Sequence, residues 1–215
     1  MKGKTFLVTA GPTFEKIDPV RFIGNFSSGK MGYAIAEELA DCGADVILVS
    51  GPVSVTSNKK NIQVVKVETA AEMYAECLSH FPDCIGAVMC AAVADFTPVN
   101  VENKKTKRGK ENWTLKLQPT ADIAAKLGEL KNEKQILVGF ALETNDEIDN
   151  ARKKIENKNL DFIVLNSLNE KGAGFQVDTN KITIIDKNNN QQFFELKSKR
   201  EVAVDIVDKI KSIIK

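Results

Sequence analysis

The chain has 215 residues, 43% of them hydrophobic and 27% charged, a composition typical of a soluble globular protein with a sizeable core. The sequence has 30 Lys and Arg residues and 29 Asp and Glu residues. The resulting net charge of +1 excludes a chain-wide basic field that would attract nucleic acid or an anionic membrane surface. The four cysteines lack C-x-x-C spacing and there is one histidine, so we expect reduced thiols in a cytoplasmic protein and no structural zinc site.

Apolar runs alternate with amphipathic stretches along most of the chain. The predicted strands are 5–10, 45–51, 62–67, 85–95, 136–142 and 161–167, and the predicted helices are 31–43, 70–81, 121–130 and 146–158. Val- and Ile-rich strands separated by helices predict an α/β fold, with a Rossmann-like, doubly wound, mainly parallel sheet flanked by helices.

Three segments lie outside this alternation. Residues 96–116 carry a dense positive run without a strand or helix period, which predicts a mobile basic loop. Residues 174–197 contain two alternating runs joined by a polar turn, which predicts an added C-terminal β-hairpin. Residues 199–213 carry an apolar stripe that predicts a closing helix. Without an internal repeat or linker, residues 1–215 are interpreted as one domain.

The stretch GNFSSGKMG, residues 24–32, nearly matches the P-loop pattern G-x-x-x-x-G-K-[ST]. Met31 replaces the hydroxyl that would bind magnesium, and the stretch lies well beyond the first predicted strand, whereas a P-loop begins at the end of a strand. The residues before the predicted helix nevertheless favour an anion, because unpaired amides, hydroxyls and a lysine meet there. These candidate anion-binding residues are Ser27, Ser28, Gly29 and Lys30. A serine cap with a glycine turn is the structural alternative.

A nicotinamide-dependent reductase is one alternative function on such a sheet. The first turn, Gly11-Pro12-Thr13, lacks G-x-G-x-x-G, and the second strand ends without an acidic residue for a ribose hydroxyl. The Tyr-x-x-x-Lys pair of short-chain reductases is also absent. Nicotinamide chemistry is therefore disfavoured, and Gly11 and Thr13 are retained as candidate anion-binding residues. A non-catalytic nucleotide-binding module is the second alternative and stays open.

A carboxylate follows the predicted central strand. Small residues, Ala91-Ala92-Val93-Ala94, lead to Asp95 at the edge where open α/β sheets bind ligands. A turn or cap aspartate is the alternative. The loop that follows has five positive side chains within residues 103–110, which could fold over a polyphosphate, although such a run is more often a solvated surface.

Several stretches together resemble the phosphopantothenoylcysteine synthetase family, in the family's order and spacing. They are LVTAGPT, DPVRFIGNFSSGKMG, CAAVADF, the lysine-rich loop, PTADI, GFALETN and ARKKIENKNLDFIVLN. The resemblance implies a ligase of coenzyme A biosynthesis that joins 4'-phosphopantothenate to L-cysteine. It implies activation of the carboxylate by CTP, with ATP possible, through an acyl-cytidylate and pyrophosphate. Because the first strand begins close to Met1, we expect a free-standing enzyme with a separate phosphopantothenoylcysteine decarboxylase in the pathway.

The resemblance also assigns roles to individual residues. Asn25 handles the acyl-nucleotide intermediate, and Lys105 of the basic loop acts on the intermediate and its phosphates. Phe140 offers a surface to the nucleotide base, with a core phenylalanine as the alternative, and two lysines four residues apart bind the triphosphate. The implied nucleotide-binding residues are Cys90, Ala91, Asp95, Lys105, Ala121, Asp122, Ile123, Ala124, Phe140, Lys154 and Lys158.

The remaining expectations concern metal ions and assembly. With no obvious set of protein ligands, Mg²⁺ is expected on the nucleotide phosphates. Members of the family are dimers, and the predicted hairpin 174–197 is the candidate contact with a second subunit. No nucleic acid or membrane partner is expected.

Overall fold

A computed structural model describes residues 1–109, 111–143, 147–167 and 177–214. The strands are β1 (Thr5–Ala10), β2 (Phe14–Lys16), β3 (Phe22–Gly24), β4 (Asp45–Ser50), β5 (Ile62–Lys66), β6 (Gly86–Met89), β7 (Phe96–Pro98), β8 (Leu117–Pro119), β9 (Ile136–Glu143), β10 (Phe162–Ser167), β11 (Thr179–Asn180), β12 (Ile182–Asp186), β13 (Gln191–Phe193) and β14 (Lys197–Ser198). The α-helices are α1 (Lys30–Asp41), α2 (Ala70–His80), α3 (Ile123–Leu130), α4 (Glu147–Asn157) and α5 (Lys199–Ile213).

Eight strands form one sheet in the order β13-β12-β10-β9-β6-β1-β4-β5. The six strands from β10 to β5 are parallel to one another. Strand β12 pairs antiparallel with β10, and β13 pairs antiparallel with β12. This order confirms the predicted Rossmann-like, mainly parallel α/β fold. Because β1 lies between β4 and β6, the winding reverses at β1, and such a reversal opens a crevice at the carboxyl ends of the strands.

Two apolar cores cover the two faces of this sheet. Alternate residues of β1 enter different cores, since successive side chains of a strand point to opposite faces: Phe6 and Val8 pack with α1 and α5, and Leu7 packs with α2, α3 and α4. The apolar stripe predicted for the closing helix is buried in the first core at Val202, Ile206, Val207 and Ile210.

The predicted central strand is shorter than expected. Residues 85–95 were predicted to be extended, but β6 ends at Met89. The backbone after it bonds to the loop that follows β1 instead of to a neighbouring strand: Ala92 N–H donates to Gly11 O at 2.8 Å, and Thr13 Oγ1 accepts Ala94 N–H at 3.0 Å. These bonds draw the small residues across the edge of the sheet.

The basic loop has a short strand at its beginning. Phe96–Pro98 form β7, which pairs antiparallel with β8, so the expectation of an irregular segment was wrong at residues 96–98. The loop is therefore the connection between two paired strands. Lys110 lies outside the described residues.

The added C-terminal hairpin is confirmed. Strands β12 and β13 pair antiparallel, and Asp186 Oδ1 accepts the N–H groups of Asn188 and Asn190 at 3.0 and 3.1 Å across the turn. Asn189 adopts φ 63° there, a left-handed conformation that asparagine tolerates. The hairpin extends one edge of the main sheet, and residues 174–176 of the predicted segment lie outside the described ranges.

Candidate functional site

A pocket of about 590 Å³ opens at the crevice between β1 and β6. This volume is within the range of small-ligand sites. The walls come from the end of β1, the start of α1, the segment after β6, the start of α3, strand β9 and the end of α4. The strand order therefore places a pocket where ligands bind in open α/β sheets.

The start of α1 forms one wall of the pocket. Gly29 is the N-cap residue, with φ 75° and no side-chain capping bond, so the serine cap considered from the sequence does not form. The first backbone bond of the helix runs from Tyr33 N to Gly29 O at 3.1 Å. The earlier amides of α1 have no acceptor within the helix, and residues 29–32 line the pocket.

Gly32 brings α1 close to the end of β1. A Cβ atom on Gly32 would lie 2.6 Å from Ala10 Cβ and 3.0 Å from Thr9 O, which is closer than non-bonded atoms approach. The absence of a side chain therefore allows the first turn of the helix to reach the crevice. Gly32, which directly follows the P-loop-like residues 24–31, thus serves helix packing.

Asn25 is fixed beside the segment that follows β6. It comes directly after β3, and its Nδ2 donates to Ala92 O at 2.9 Å. The β2–β3 hairpin beneath it is held by stacking of Phe14 on Phe22, with ring centroids 3.8 Å apart, and by buried Glu15, which accepts Ala70 N–H at 2.8 Å. Asn25 and Asp95 both line the pocket.

Asp122 and the end of α4 form the opposite wall. The carboxylate caps α3 by accepting Ala125 N–H at 3.0 Å, and its other oxygen pairs with Lys158 Nζ at 2.9 Å. Partial burial would raise the pKa of Asp122, but the hydrogen bonds from Lys158 and Ala125 outweigh it, and the pKa lies below its usual value. Lys154, one turn earlier in α4, also lines the pocket.

The pocket lining also includes residues that were not predicted from the sequence, among them Asn166, Asn180 and Lys199. Asn166 Oδ1 is buried and has no hydrogen-bond partner among the described atoms, whereas its Nδ2 donates to Asn180 Oδ1 at 3.5 Å. Lys199 begins α5 and is only 7% exposed. No local pattern marks these residues, because strand pairing brings them together.

Cys90 is a neutral thiol in this pocket. Burial raises its pKa to about 12, although nearby Lys199 opposes the shift. A thiol is a strong nucleophile only as the thiolate. Cys90 is therefore a weak nucleophile near neutral pH.

Most of the predicted site residues line this one pocket. They are Asn25, Ser27, Ser28, Gly29, Lys30, Cys90, Ala91, Asp95, Ala121, Asp122, Ile123, Ala124, Phe140, Lys154 and Lys158. Three others are not among its lining residues. Lys105 is exposed on the basic loop, Thr13 is fully buried, and the Gly11 carbonyl accepts the Ala92 amide. Gly11 and Thr13 thus brace the segment after β6.

The basic loop is anchored next to Lys105. Thr106 N–H donates to Asp18 Oδ2 at 3.2 Å, and Arg21 Nη2 donates to Thr106 O at 3.0 Å. The Arg21 guanidinium also lies 4.6 Å from the centroid of the Trp113 ring. The hydrogen bond from Arg21 holds the pKa of the Asp18 carboxyl well below its usual range. The turn between β2 and β3 therefore sets the position of the loop.

The described ranges of the chain contain no group of three or more His, Cys, Asp or Glu side chains that could hold a metal ion. None of their helices has the length and apolarity required to cross a bilayer.

The relatives of this chain are larger proteins. A protein of an unknown prokaryotic organism named cysteine/cysteine sulfinic acid decarboxylase is 53% identical over 214 residues, which are 100% of this chain and 60% of that protein. The coenzyme A biosynthesis bifunctional protein CoaBC of Bacillus subtilis (strain 168) is 46% identical over 215 residues, which are 100% of this chain and 53% of that protein. The chain thus spans little more than half the length of these relatives.

A solved structure and a family assignment agree with the motifs. The crystal structure of the C-terminal domain of a coenzyme A biosynthesis bifunctional protein CoaBC has a TM-score of 0.84 and 41% identity, over 99% of this chain and 96% of that one. The family described as "DNA/pantothenate metabolism flavoprotein C-terminal domain" matches residues 1–214. The resemblance inferred from the motifs is confirmed at this level, and the chain belongs to that family.

Proposed function

We propose that this chain is a phosphopantothenate–cysteine ligase that uses CTP and Mg²⁺. The family and the role of CoaBC in coenzyme A biosynthesis support this proposal. The observation that carries it is the composition of one pocket: the Asn25 amide, the Asp95 carboxylate and lysines on two sides of the crevice. Such a pocket suits a reaction that brings a triphosphate, a second phosphate and a carboxylate together.

The proposed reaction has two displacements. A carboxylate oxygen of 4'-phosphopantothenate attacks the α-phosphorus of CTP, and pyrophosphate leaves. The amine of cysteine then attacks the acyl carbon, loses a proton and expels CMP, which forms the amide. Holding the carboxylate beside the α-phosphorus removes much of the entropic barrier to the first displacement.

The residues of the chain have distinct tasks in this scheme. Lys154 and Lys158 neutralise phosphate charge at the end of α4, and Phe140 gives the base an apolar surface. Mg²⁺ bound to the nucleotide phosphates would supply further charge neutralisation. Asn25, already oriented by Ala92 O, stabilises the oxyanion that develops when the amine attacks.

A homodimer is part of the proposal. Large apolar side chains are exposed in and just after β3, where Phe22 and Phe26 are 49% and 81% exposed. Others are exposed in β7 and in the basic loop, where Phe96 and Trp113 are 52% and 49% exposed. On the hairpin 174–197, Phe193 is 72% exposed. Light scattering of Phe26→Ser and Phe193→Ser would identify the interface, because only the variant that disrupts it should yield monomer.

One assay tests the activity. The chain is incubated with 4'-phosphopantothenate, cysteine, Mg²⁺ and either CTP or ATP, and pyrophosphate and the mass of the product are followed. We expect stoichiometric pyrophosphate and amide, faster with CTP. Binding of nucleotide without pyrophosphate release would favour a non-catalytic module, and oxidation of NADH or NADPH would favour a reductase. Release of CO₂ from cysteine would instead support the activity named for the relative from the unknown prokaryote.

A further inference from the structure

Lys199 is a buried lysine at the edge of the pocket. It is 7% exposed, and it lines the pocket together with Lys30 and Cys90. Its Nζ donates to the carbonyl of Val177, and its backbone N–H donates to Asp178 O at 2.9 Å. Pairing of β11 with β14 holds these two segments together.

A second lysine shares this corner of the pocket. Lys30 Nζ pairs with Asp178 Oδ1 at 2.6 Å, and the Asp178 side chain is 82% exposed. Burial, and secondarily the positive charge of Lys30, lowers the pKa of Lys199 from its usual value. Two ammonium groups therefore share a region in which Asp178 supplies negative charge.

This corner is separate from the lysines predicted from the sequence. Lys30 begins α1 and Lys199 begins α5, and both helices cover one face of the sheet. Lys154 and Lys158 lie on α4 or directly after it, and α4 covers the other face. The pocket thus has two positively charged sides. On the first side Asp178 pairs with a lysine, and on the second side Asp122 does.

We propose that Lys199 is an anion-binding residue of the pocket. With Lys30 it forms a site for a phosphate group, and Asp178 is the counter-ion that occupies this site until a phosphate replaces it. The inference rests on the proposed function for the identity of the phosphate, which is either that of phosphopantothenate or one of the nucleotide. It adds Lys199 and Asp178 to the anion site predicted from residues 27–30.

The charge of Lys199 and its place in the pocket lining suit an anionic ligand. A buried ammonium near a second ammonium is unfavourable unless anions compensate it. Lys197, two residues earlier, pairs with both carboxylate oxygens of Asp205, at 2.8 and 3.1 Å, and does not line the pocket, so it provides a matched control. A bound phosphate would compensate both Lys30 and Lys199 at once, with charge-assisted hydrogen bonds.

Calorimetric titration of three probes tests the proposal: inorganic pyrophosphate, CTP and 4'-phosphopantothenate, each with Mg²⁺ held constant. We expect Lys199→Met to weaken pyrophosphate and one of the two substrates by at least about tenfold, and the substrate that is affected identifies the source of the phosphate. The matched control Lys197→Met should bind all three within about twofold of the wild type. Pantothenate, which lacks the phosphate, is the control ligand for 4'-phosphopantothenate.

A second variant should change the affinity for pyrophosphate in the opposite direction. Asp178→Asn removes the counter-ion and should tighten pyrophosphate about threefold or more, whereas a lysine that only supports the fold would give no gain. Lys199→Arg keeps the charge and should retain most of the affinity if Lys199→Met proves unstable. Unchanged affinity of Lys199→Met for all three probes, weaker binding by Asp178→Asn, or no binding of any probe by the wild type would each overturn the proposal. Because pyrophosphate binding needs no turnover, these outcomes are independent of whether the chain is a ligase.

Discussion

Lys158 donates from Nζ to Oδ2 of Asp122 at 2.9 Å, while Oδ1 of the same carboxylate accepts Ala125 N–H at 3.0 Å. One side chain therefore caps α3 and also ties it to the end of α4. The two bonds have different requirements, since a cap needs only an oxygen acceptor and an ion pair needs the charge. Substitutions can separate them.

We expect Asp122→Asn to retain the cap and lose the ion pair. Asn caps helices about as well as Asp, and a partly exposed ion pair contributes about 0–1 kcal/mol, so the free energy of unfolding should fall by no more than about 1 kcal/mol. Asp122→Ala loses both and should lose about 1 kcal/mol more, as is typical of a lost N-cap. Urea denaturation of both variants measures the difference, and equal stability of the two would show that the cap contributes nothing.

Gly32→Ala should destabilise the protein although alanine favours helices. The new Cβ would lie 2.6 Å from Ala10 Cβ, so either α1 or β1 must move. Overpacking of this kind lowers the free energy of unfolding by about 1–3 kcal/mol. Gly109→Ala is the control, because its Cβ would meet nothing closer than Glu111 N at 3.9 Å and should change stability by less than about 0.5 kcal/mol. A Gly32→Ala variant as stable as the wild type in urea would contradict the close approach.

Much of the fold follows from local patterns. The first strand was predicted at 5–10 and is found at Thr5–Ala10, and the closing helix was predicted at 199–213 and is found at Lys199–Ile213. Strand β1 is a continuous apolar run because both of its faces are buried, and α5 carries an apolar stripe because one of its faces is buried. Both patterns are visible in the sequence. Asn25 and Asp95, both singled out from the sequence, line one pocket.

Other features depend on contacts that no local pattern encodes. The early end of β6 follows from backbone bonds between Ala92 and the loop at Gly11, about eighty residues away in sequence. Lys199 reaches the pocket because β14 pairs with β11, two strands of two residues each. A charge pattern marks a lysine but gives no indication of which carboxylate it will meet. The residue types at the site could therefore be predicted from the sequence, whereas the partners of those side chains could not.

Asp18→Asn should lower stability in a pH-dependent manner. The folded-state pKa of Asp18 lies below the ordinary value, chiefly because of the Arg21 hydrogen bond, so its stabilising effect is fully present above the unfolded-state pKa of about 3.9. That effect is lost as the pH falls from there toward the folded-state pKa. Thermal melts should show a lower Tm for Asp18→Asn at pH 7 and a narrowing difference from the wild type below about pH 4. Asp45→Asn, an exposed carboxylate at the start of β4, is the control, and a difference that does not narrow in acid would contradict this account.

Lys105→Ala should reduce ligase turnover by about a hundredfold or more, because a lysine that compensates transition-state charge contributes several kcal/mol. The fold should be unaffected, since Lys105 is exposed. Lys104→Ala, the exposed neighbour in the same loop, is the matched control and should stay within a few-fold of the wild type. An ordinary rate for Lys105→Ala with a slow Lys104→Ala would transfer the role to Lys104.

Asn25→Asp should separate the two halves of the proposed reaction. The first displacement needs the carboxylate and the nucleotide in place, so pyrophosphate should still be released from CTP in a single turnover. The second displacement develops negative charge on the acyl oxygen, and a carboxylate at position 25 would repel this charge. The carboxylate also could not donate a hydrogen bond to Ala92 O, as Nδ2 of Asn25 does at 2.9 Å. We expect amide formation to slow by about 10²–10³-fold, the typical loss for one oxyanion-stabilising donor. Quenched-flow measurement of pyrophosphate and amide checks both steps, with the exposed Asn58→Asp as control. Amide formation at the wild-type rate would remove Asn25 from the mechanism, and loss of pyrophosphate release would place its role in the first displacement instead.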